Sequence, residues 1–253
     1  MVSSLLEKVY FYIKNLNNKY IILGNLYNTA VKWINSFAWK KGVRCNICEW
    51  QGYKFYAMIS YRSIRFNAVC PQCFSKERHR RLILYLEDNA ILRSGLSCLD
   101  IGPVRSFKKY LESKGCFYFS IDIHSPLAMS KMDITHLGIQ SDGFELIICY
   151  HVLEHVKNDL IAIREIYRVL KPGGKCLIQV PLDKNRLDTT EYREPDEKDC
   201  DHVRSYGRDV TTRISNEGFI VNEVDKTFGD EKKINEFALN ETDGTFFICQ
   251  KRI

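Results

Sequence analysis

The sequence predicts an α/β fold: a doubly wound, mostly parallel, seven-stranded sheet preceded by a small metal-binding module. Three observations carry this prediction. Apolar, strand-like runs alternate with helical runs from residue 97 onward. Paired cysteines occur only before residue 81. The charge also divides there, with 14 Lys and Arg against 3 Asp and Glu in residues 1–81, and 23 against 28 in residues 82–253. The two parts are therefore expected to have different roles.

The bulk composition predicts a globular protein of the cytoplasm. The chain has 253 residues, of which 45% are hydrophobic and 27% charged. It contains no uninterrupted apolar run of the roughly 18–20 residues that a membrane span requires. Lys8 and Lys14 interrupt the N-terminal segment, which lacks a small-residue cleavage signal, so a secretory peptide is not expected. In a reducing cytoplasm, cysteines at paired spacing favour metal over disulfides.

Residues 1–40 are rich in aromatic residues and lysines. They are predicted to form a helical N-terminal arm that packs on the rest of the chain or on a partner. Peripheral membrane contact through this arm is the alternative interpretation, because aromatic and lysine-rich helices also lie in membrane interfaces. The apolar residues of this arm do not form the long continuous stripe that a membrane-bound helix would have, so packing is the preferred expectation. The sequence leaves the oligomeric state open.

Two C-x2-C pairs predict a structural zinc site in a module spanning residues 41–81. The pairs are Cys45 with Cys48 and Cys70 with Cys73. Each pair can direct two thiolates at one Zn²⁺, and four thiolates complete a tetrahedral site with no open position for water. The 21-residue spacer is long enough for a β-hairpin. The other six cysteines are single, and most are predicted to be small core residues.

The basic run Arg78–Arg81 follows the second cysteine pair and begins an amphipathic pattern. Such a run is usually the solvated face of a helix, and that is the first expectation here. The alternative is a surface that binds phosphate groups.

The second part, residues 82–253, contains seven predicted strands and three predicted helices. The strands are SCLDIG (97–102), FYFSIDI (117–123), KMDI (131–134), FELIICY (144–150), KCLIQVP (175–181), FIVNEVD (219–225) and TFFICQKR (245–252). Helical periodicity fills about 105–114, 159–170 and 208–217. Ligands of such sheets bind at the carboxyl ends of the strands.

The stretch FELIICYHVLEHV (144–156) contains His151, Glu154 and His155 in the H-x-x-E-H pattern of inverted zinc peptidases. That pattern is weak without its structural context, and a peptidase would need a distant third ligand on a helical scaffold. The strand-rich downstream chain does not readily offer one. The flanks instead predict a buried strand before the motif and a helix that HVLEHV opens.

Together with EIYRVLKPGGKCLIQVP (165–181), this stretch resembles the class I S-adenosylmethionine-dependent methyltransferases, specifically their small-molecule branch. The resemblance covers about residues 97–253 and implies a Rossmann-like methyltransferase sheet. Chains that combine such a domain with a zinc module resemble enzymes of bacterial surface-polysaccharide pathways. The resemblance therefore implies S-adenosylmethionine as cofactor and a small polar acceptor.

The resemblance also implies which residues bind the cofactor. Residues in LDIG (99–102), with a tyrosine after the fourth strand, would line the methionine end. Acidic residues ending the second and third strands would contact the ribose and the adenine. The residues are Asp100, Gly102, Asp122, Ile123, Asp133, Ile134 and Tyr150. One departure from the family is Gly102-Pro103-Val104, where a G-x-G pattern is usual; the loop there is expected to take a different path.

Methyl transfer is an in-line displacement, so it needs a positioned nucleophile and, for a neutral hydroxyl, a base. His151 is a candidate base because it follows the fourth strand. A long insertion, residues 182–208, is predicted to form a lid. Its segment DHVRSYG (201–207) supplies His202 and Arg204 as further candidate catalytic residues. His155 is expected to pack or to bond between helix and loop.

The predicted function is methyl transfer from S-adenosylmethionine to an oxygen of a sugar, nucleotide-linked or phosphate-type acceptor, in bacterial capsule or surface-polysaccharide biosynthesis. The alternative is an RNA methyltransferase whose basic zinc module grips the phosphate backbone. The acidic lid and the absence of an N-P-P-aromatic motif after FELIICY argue against nucleic acid without removing that alternative. A third interpretation, a zinc module on an inactive domain, rests only on the missing glycine.

Overall fold

A computed structural model describes residues 19–37, 42–60, 63–196, 200–225, 227–239 and 244–253. Much of the predicted N-terminal arm, residues 1–18 and 38–40, lies outside the described residues. The described residues form two compact units. The first extends to Tyr85 and includes 229–239, and the second comprises the remaining described residues from Leu86 onward.

The first unit contains one long helix, α1 (Lys19–Phe37), and two antiparallel hairpins. The hairpins pair β1 (Val43–Arg44) with β2 (Gln51–Gly52), and β3 (Tyr56–Ile59) with β4 (Ile64–Val69). The predicted hairpin between the two cysteine pairs is thus present as β3–β4. Each cysteine pair directly follows a strand, β1 or β4, so both pairs begin from hydrogen-bonded backbone.

The helix α2 (Glu77–Asp88) contains the basic run, and the structure corrects the expectation of a solvated or phosphate-binding face there. Arg80 and Arg81 are fully buried. The Arg80 guanidinium donates to the carbonyl oxygens of Ser75, Ala68, Phe237 and Ala238, and Arg81 donates to that of Leu239. Their donors therefore satisfy buried backbone acceptors.

These arginine contacts also explain a difference from the predicted domain boundary. The sequence placed everything after residue 82 in one domain, but the segment 229–239, with its short helix Glu231–Glu236, belongs to the first unit. Glu236 also accepts from Arg44 Nε at 2.7 Å. The pairing joins residues 192 positions apart, which local sequence patterns do not reveal.

The second unit is built on a seven-stranded, mostly parallel sheet, as predicted. Its strands are β5 (Ser97–Ile101), β6 (Phe117–Asp122), β7 (Ser130–Lys131), β8 (Phe144–Tyr150), β9 (Leu170–Gln179), β12 (Ile220–Val224) and β13 (Phe246–Gln250), in the order β12-β13-β9-β8-β5-β6-β7. The last strand, β13, runs antiparallel to both neighbours. A second pairing, β10 (Thr190–Asp196) with β11 (His202–Ser205), forms an antiparallel hairpin within the predicted lid.

Three helices accompany the sheet: α3 (Arg105–Ser113), α4 (Asp159–Val169) and α5 (Val210–Asn216). All three lie where the sequence predicted helices. Buried residues of α4 at helical spacing, Ala162, Ile163, Ile166 and Val169, join the core cluster with the apolar strand residues. Among the described residues, none of the helices is long and apolar enough to cross a membrane.

The start of α4 differs from the prediction that HVLEHV opens this helix. His151 has a left-handed backbone (φ 57°), and Leu153–His155 form only a 3₁₀ turn. The helix begins after Asn158, whose side chain accepts a hydrogen bond from the Ile161 amide. Residues 151–158 therefore form a loop at the carboxyl end of β8.

Candidate functional site

A cavity of about 890 Å³ opens at the carboxyl ends of β5, β6 and β8, in the size range of small-molecule sites. The loops that follow these strands line it, together with the residues after β7 and the first turn of α4. The lining residues are Ile101, Gly102, Pro103, Asp122, Ile123, His124, Ser125, Met132, Asp133, Ile134, Thr135, His151, Val152, His155, Val156, Lys157, Asn158 and Ile161. Parallel sheets bind ligands at this edge.

Gly102 allows two loops to approach one another at the cavity. Its φ is +72°, and a Cβ atom there would lie 2.7 Å from Cγ2 of Val152, in the loop after β8. Both the left-handed backbone and the close approach require glycine. Although the usual second glycine is missing, the remaining one occupies the position where a side chain would collide.

The two carboxylate oxygens of Asp122, at the end of β6, have different surroundings. Oδ1 accepts from the amides of His124 and Ser125, both at 2.6 Å, and so fixes the turn. Oδ2 lies 3.9 Å from the position of a Cβ on Gly102, on the side of the loop after β5. The acid is therefore held by one oxygen while the other faces the cavity edge, an arrangement suited to accepting from a ligand hydroxyl.

Asp133 and Ile134 follow the very short strand β7 and also line the cavity. Oδ1 of Asp133 accepts from the Thr135 amide and from Thr135 Oγ1, each at 2.8 Å. These hydrogen bonds lower the pKa of Asp133 below its usual value, so the carboxylate is kept charged. Ile134 is buried beside it and supplies an apolar wall.

Two residues predicted to bind the cofactor, Asp100 and Tyr150, lie beneath the cavity and do not line it. Asp100 is 1% exposed, and its Oδ2 accepts from the Tyr118 hydroxyl at 2.8 Å. Burial raises the pKa of Asp100 to about 7. Tyr150 is buried with its ring 6.1 Å from that of Phe246. Gly102, Asp122, Ile123, Asp133 and Ile134 line the cavity as the resemblance implied.

The loop after β8 brings two histidines to the cavity wall. The left-handed His151 donates its amide hydrogen to the Gln179 carbonyl at 2.8 Å, which anchors it to β9. Its Nδ1 lies 2.9 Å from Oε1 of Glu154, which is 1% exposed. His155 is exposed and lines the same cavity. A histidine oriented by a buried carboxylate is a common arrangement for proton transfer.

The segment DHVRSYG supports this loop instead of lining the cavity. Arg204 is 2% exposed and donates to the carbonyl oxygens of Leu153, Val156 and Lys157. Its Nε bonds Glu191 on β10 at 2.9 Å. The structure thus differs from the predicted acceptor-facing role, because every nitrogen of this guanidinium is engaged by the protein.

Two other polar residues of DHVRSYG lie close to the same loop. The Tyr206 hydroxyl donates to Oδ2 of the buried Asp159 at 2.8 Å, and Arg213 bonds that carboxylate as well. His202 is buried, with its ring edge-on to that of His155 at 4.9 Å between centroids. His202 does not line the cavity directly, but it contacts a residue that does.

The four paired cysteines converge in the first unit. Ligand atoms of Cys45, Cys48, Cys70 and Cys73 all lie within 4.8 Å of one another. The Sγ atoms of Cys45 and Cys73 are 3.6 Å apart, as are those of Cys48 and Cys70. Bonds of ~2.3 Å to a tetrahedral Zn²⁺ correspond to sulfur–sulfur distances of about 3.8 Å, so the donor set fits this ion.

Each cysteine pair is built by the same turn. The Glu49 amide donates to the Cys45 carbonyl, and the Phe74 amide donates to the Cys70 carbonyl. Glu49 and Phe74 both have φ near 59°. The Ser75 hydroxyl also contacts the Cys45 and Cys73 sulfurs at 3.3 and 3.2 Å. The serine is a contact that the cysteine spacing did not predict.

A second group with metal-ligating chemistry occurs in the second unit. Ligand atoms of Glu154, His155 and His202 lie within 4.8 Å of one another. The sequence showed the first two in H-x-x-E-H but did not identify the third, because His202 arrives from the β10–β11 hairpin.

Residues 99–178 match the family model described as "Methyltransferase domain". The match covers 80 of the chain's 253 residues, all of them in the second unit. The matched range contains Gly102, Asp122, Asp133 and the loop after β8, and excludes both the cysteine cluster and His202.

The fold of the second unit agrees with solved structures. An S-adenosylmethionine-dependent methyltransferase of Mesorhizobium loti superposes with a TM-score of 0.51 at 15% identity, over 68% of this chain and 98% of that one. The 1,6-didemethyltoxoflavin-N1-methyltransferase of Burkholderia thailandensis, solved with S-adenosylhomocysteine, gives 0.50 at 12% identity, over 70% and 79%. The family match supports the predicted enzyme class, a methyltransferase, and these structures agree with the predicted fold.

A curated relative shares a shorter segment. An uncharacterized protein of Methanocaldococcus jannaschii is 47% identical over 55 residues, which is 22% of this chain and 24% of that protein. The match thus spans about a quarter of that protein's length.

Proposed function

We propose that this protein transfers a methyl group from S-adenosylmethionine to an oxygen of a small polar acceptor. The observation that carries the proposal is the cavity, in which Gly102, Asp122 and Asp133 follow three neighbouring parallel strands. Its volume of about 890 Å³ leaves room for a cofactor and a small acceptor together.

The cofactor would be held by residues already fixed by the fold. Oδ2 of Asp122 accepts from a ribose hydroxyl, because Oδ1 is engaged by two backbone amides. Asp133 and Ile134 offer an acceptor and an apolar wall to the adenine. Gly102 lets the methionine end approach the backbone without a side chain in the way. The bound cofactor supplies a methyl group on a sulfonium, which leaves as a neutral thioether.

His151 is the base in this proposal. With Nδ1 donating to Oε1 of Glu154, Nε2 accepts a proton from a hydroxyl in the cavity. Glu154 then orients the ring and stabilises the imidazolium that forms. A hydroxyl acceptor is favoured over a phosphate-type one, because Arg204 is engaged by backbone carbonyls and Glu191. Arg204 and His202 are assigned to the loop that positions His151 and His155.

The proposal also covers the metal, the class of acceptor and the location of the protein. The cysteine cluster would hold one structural Zn²⁺, supported by four sulfurs at tetrahedral distances. A sugar or nucleotide-linked acceptor in a surface-polysaccharide pathway is supported by the sequence resemblance and by the acidic residues of the insertion, Asp188, Glu191, Glu194 and Asp196. A cytoplasmic location follows from the reduced cysteines that such a cluster needs.

Cofactor binding is tested by calorimetry on Asp122→Ala. The loss of a charge-assisted contact, about 2–3 kcal/mol, lowers the affinity for S-adenosylmethionine roughly 30–150-fold. Asp142→Ala is the matched control, since Asp142 is an exposed acid outside the cavity lining. Equal affinity in wild type and Asp122→Ala would remove Asp122 from the site.

The acceptor is tested by offering labelled cofactor with sugars, nucleotide-linked sugars and RNA. His151→Ala should lower turnover of a hydroxyl acceptor about 10²–10⁴-fold while the cofactor affinity stays near normal. Methylation of RNA and of no small acceptor would transfer the assignment to the RNA alternative. Unchanged turnover in His151→Ala would place the base elsewhere.

A further inference from the structure

The group formed by Glu154, His155 and His202 remains unexplained by the proposed chemistry. Its three side chains come from the 3₁₀ turn after β8 and from β11. A ligand atom of each lies within 4.8 Å of a ligand atom of the other two. Two imidazoles and one carboxylate form a donor set that divalent transition metals bind, with coordination positions left open.

Glu154 provides a second, independent observation. The residue is 1% exposed, and Oε2 is buried with no hydrogen-bond partner in the described part of the chain. A buried carboxylate oxygen without a partner is costly, and a cation satisfies it. The other oxygen, Oε1, lies 2.9 Å from His151 Nδ1, so His151 fixes the carboxylate as outer histidine–carboxylate contacts do in metal sites.

The geometry requires only small adjustments. Ligand atoms ~2.1 Å from one ion can be at most about 4.2 Å apart. The present separations are up to 4.8 Å, so the ligand atoms would approach one another by up to about 0.6 Å on binding. Arg204 holds the backbone of this turn by donating to the Leu153 and Val156 carbonyls, which flank two of the three ligands. The backbone is therefore already in place before an ion binds.

We propose that Glu154, His155 and His202 bind one divalent metal ion of the Mn²⁺-to-Zn²⁺ series at the wall of the cavity. Because His155 lines the cavity, an ion held by this group would border the space assigned to the acceptor. An acceptor oxygen bound there would be oriented, and a hydroxyl would lose its proton more readily. This role rests on the proposed function, whereas metal binding itself does not.

Mn²⁺ is the probe that separates this site from the cysteine cluster. It is a hard ion that stands lowest in affinity among the first-row divalent metals, so it does not displace Zn²⁺ from four thiolates. The protein is used as purified, with its cysteine cluster loaded, and free Mn²⁺ is measured by electron paramagnetic resonance during titration. One bound Mn²⁺ per chain is expected.

His155→Ala is the decisive variant, because His155 is the exposed member of the three and its replacement costs little beyond the ring contact with His202. It should abolish Mn²⁺ binding, as should Glu154→Gln and His202→Ala if their thermal unfolding shows them to be folded. His151→Ala should weaken binding about 10–100-fold, since it removes only the contact that orients Glu154. His136→Ala, also an exposed histidine of this unit, is the control that should bind as wild type does.

No binding by the wild-type protein at millimolar Mn²⁺ would overturn the proposal, as would unchanged binding in His155→Ala. Calorimetry with S-adenosylmethionine on the same samples keeps the two proposals apart. Mn²⁺ bound without methyl transfer to any acceptor would sink the proposed function alone. Methyl transfer that is unaffected by the metal and by His155→Ala would overturn only the role of the metal in the reaction.

Discussion

The cysteine cluster of the first unit and the Glu154–His155–His202 cluster of the second are both groups of metal-ligating side chains, but they are assembled differently. The cysteines lie in two local turns with the same hydrogen bond, so their spacing in the sequence predicts the site. The second cluster joins a turn after β8 to a hairpin strand, and its third member is 47 residues from the second. The spacing of residues therefore reveals a metal site only when its ligands come in pairs that are close together in the sequence.

The largest expected effect concerns the cysteine cluster. If the cluster holds the proposed zinc, Cys45→Ser should reduce the zinc content from one per chain to none and unfold the first unit, because structural zinc sites contribute on the order of 10 kcal/mol to folding. Metal analysis and limited proteolysis measure both. Cys200→Ser, a change at an exposed single cysteine, should alter neither. A metal-free protein with an intact first unit would show that the cysteine cluster is not a structural metal site.

The next effect concerns the support of the second cluster. Arg204→Ala should destabilise the second unit by about 3–5 kcal/mol, because it leaves the carbonyls of Leu153, Val156 and Lys157 without their charged donor and removes one of the two cations near Asp159. Denaturant unfolding is the measurement, with the exposed Arg208→Ala as a control expected to stay within about 0.5 kcal/mol. A raised KM with unchanged stability would instead show that Arg204 contacts the acceptor.

The third effect concerns Asp100, a buried acid that belongs to neither cluster, and the dependence of stability on pH. Its pKa is raised from 3.8 to about 7, so the folded protein holds a proton that the unfolded chain releases. Stability should therefore fall as pH rises from about 4 to about 7, by about 1.4 kcal/mol per unit of pH from this group. Asp100→Asn should flatten that slope in thermal unfolding. Parallel curves for the two proteins would mean that Asp100 is charged in the fold.

The smallest effect tests the contact between Tyr206, directly after β11, and Asp159, in the first turn of α4. Tyr206→Phe removes the donor to Asp159, at a cost of about 1.5–3 kcal/mol because the acceptor is a carboxylate. Arg213 still bonds Asp159, so the turn should persist and Mn²⁺ binding should remain. Tyr192→Phe, on the partner strand β10, is the matched control and should be nearly neutral. A loss of Mn²⁺ binding in Tyr206→Phe would show that the turn depends on this one hydroxyl.

The sequence by itself determined the elements whose information is local. Alternating apolar runs located the seven strands of the central sheet and the three helices that accompany it, because strand and helix periods are properties of neighbouring residues. They did not predict the β10–β11 hairpin. The family resemblance implied that Gly102, Asp122 and Asp133 bind the cofactor, and all three line one cavity because parallel strands deliver their carboxyl ends to one edge. The paired cysteines predicted their own cluster.

Only the tertiary structure decided where the long polar side chains point. Arg80, Arg81 and Arg204 look like surface or anion-binding residues in sequence, yet each donates to buried carbonyl oxygens. The carbonyls that Arg204 holds are 47 to 51 residues away along the chain. A backbone carbonyl carries no residue identity, so no pattern of letters marks it as an acceptor. The same docking that buries Arg204 brings His202 against His155, which is why this cluster is visible only in the folded protein.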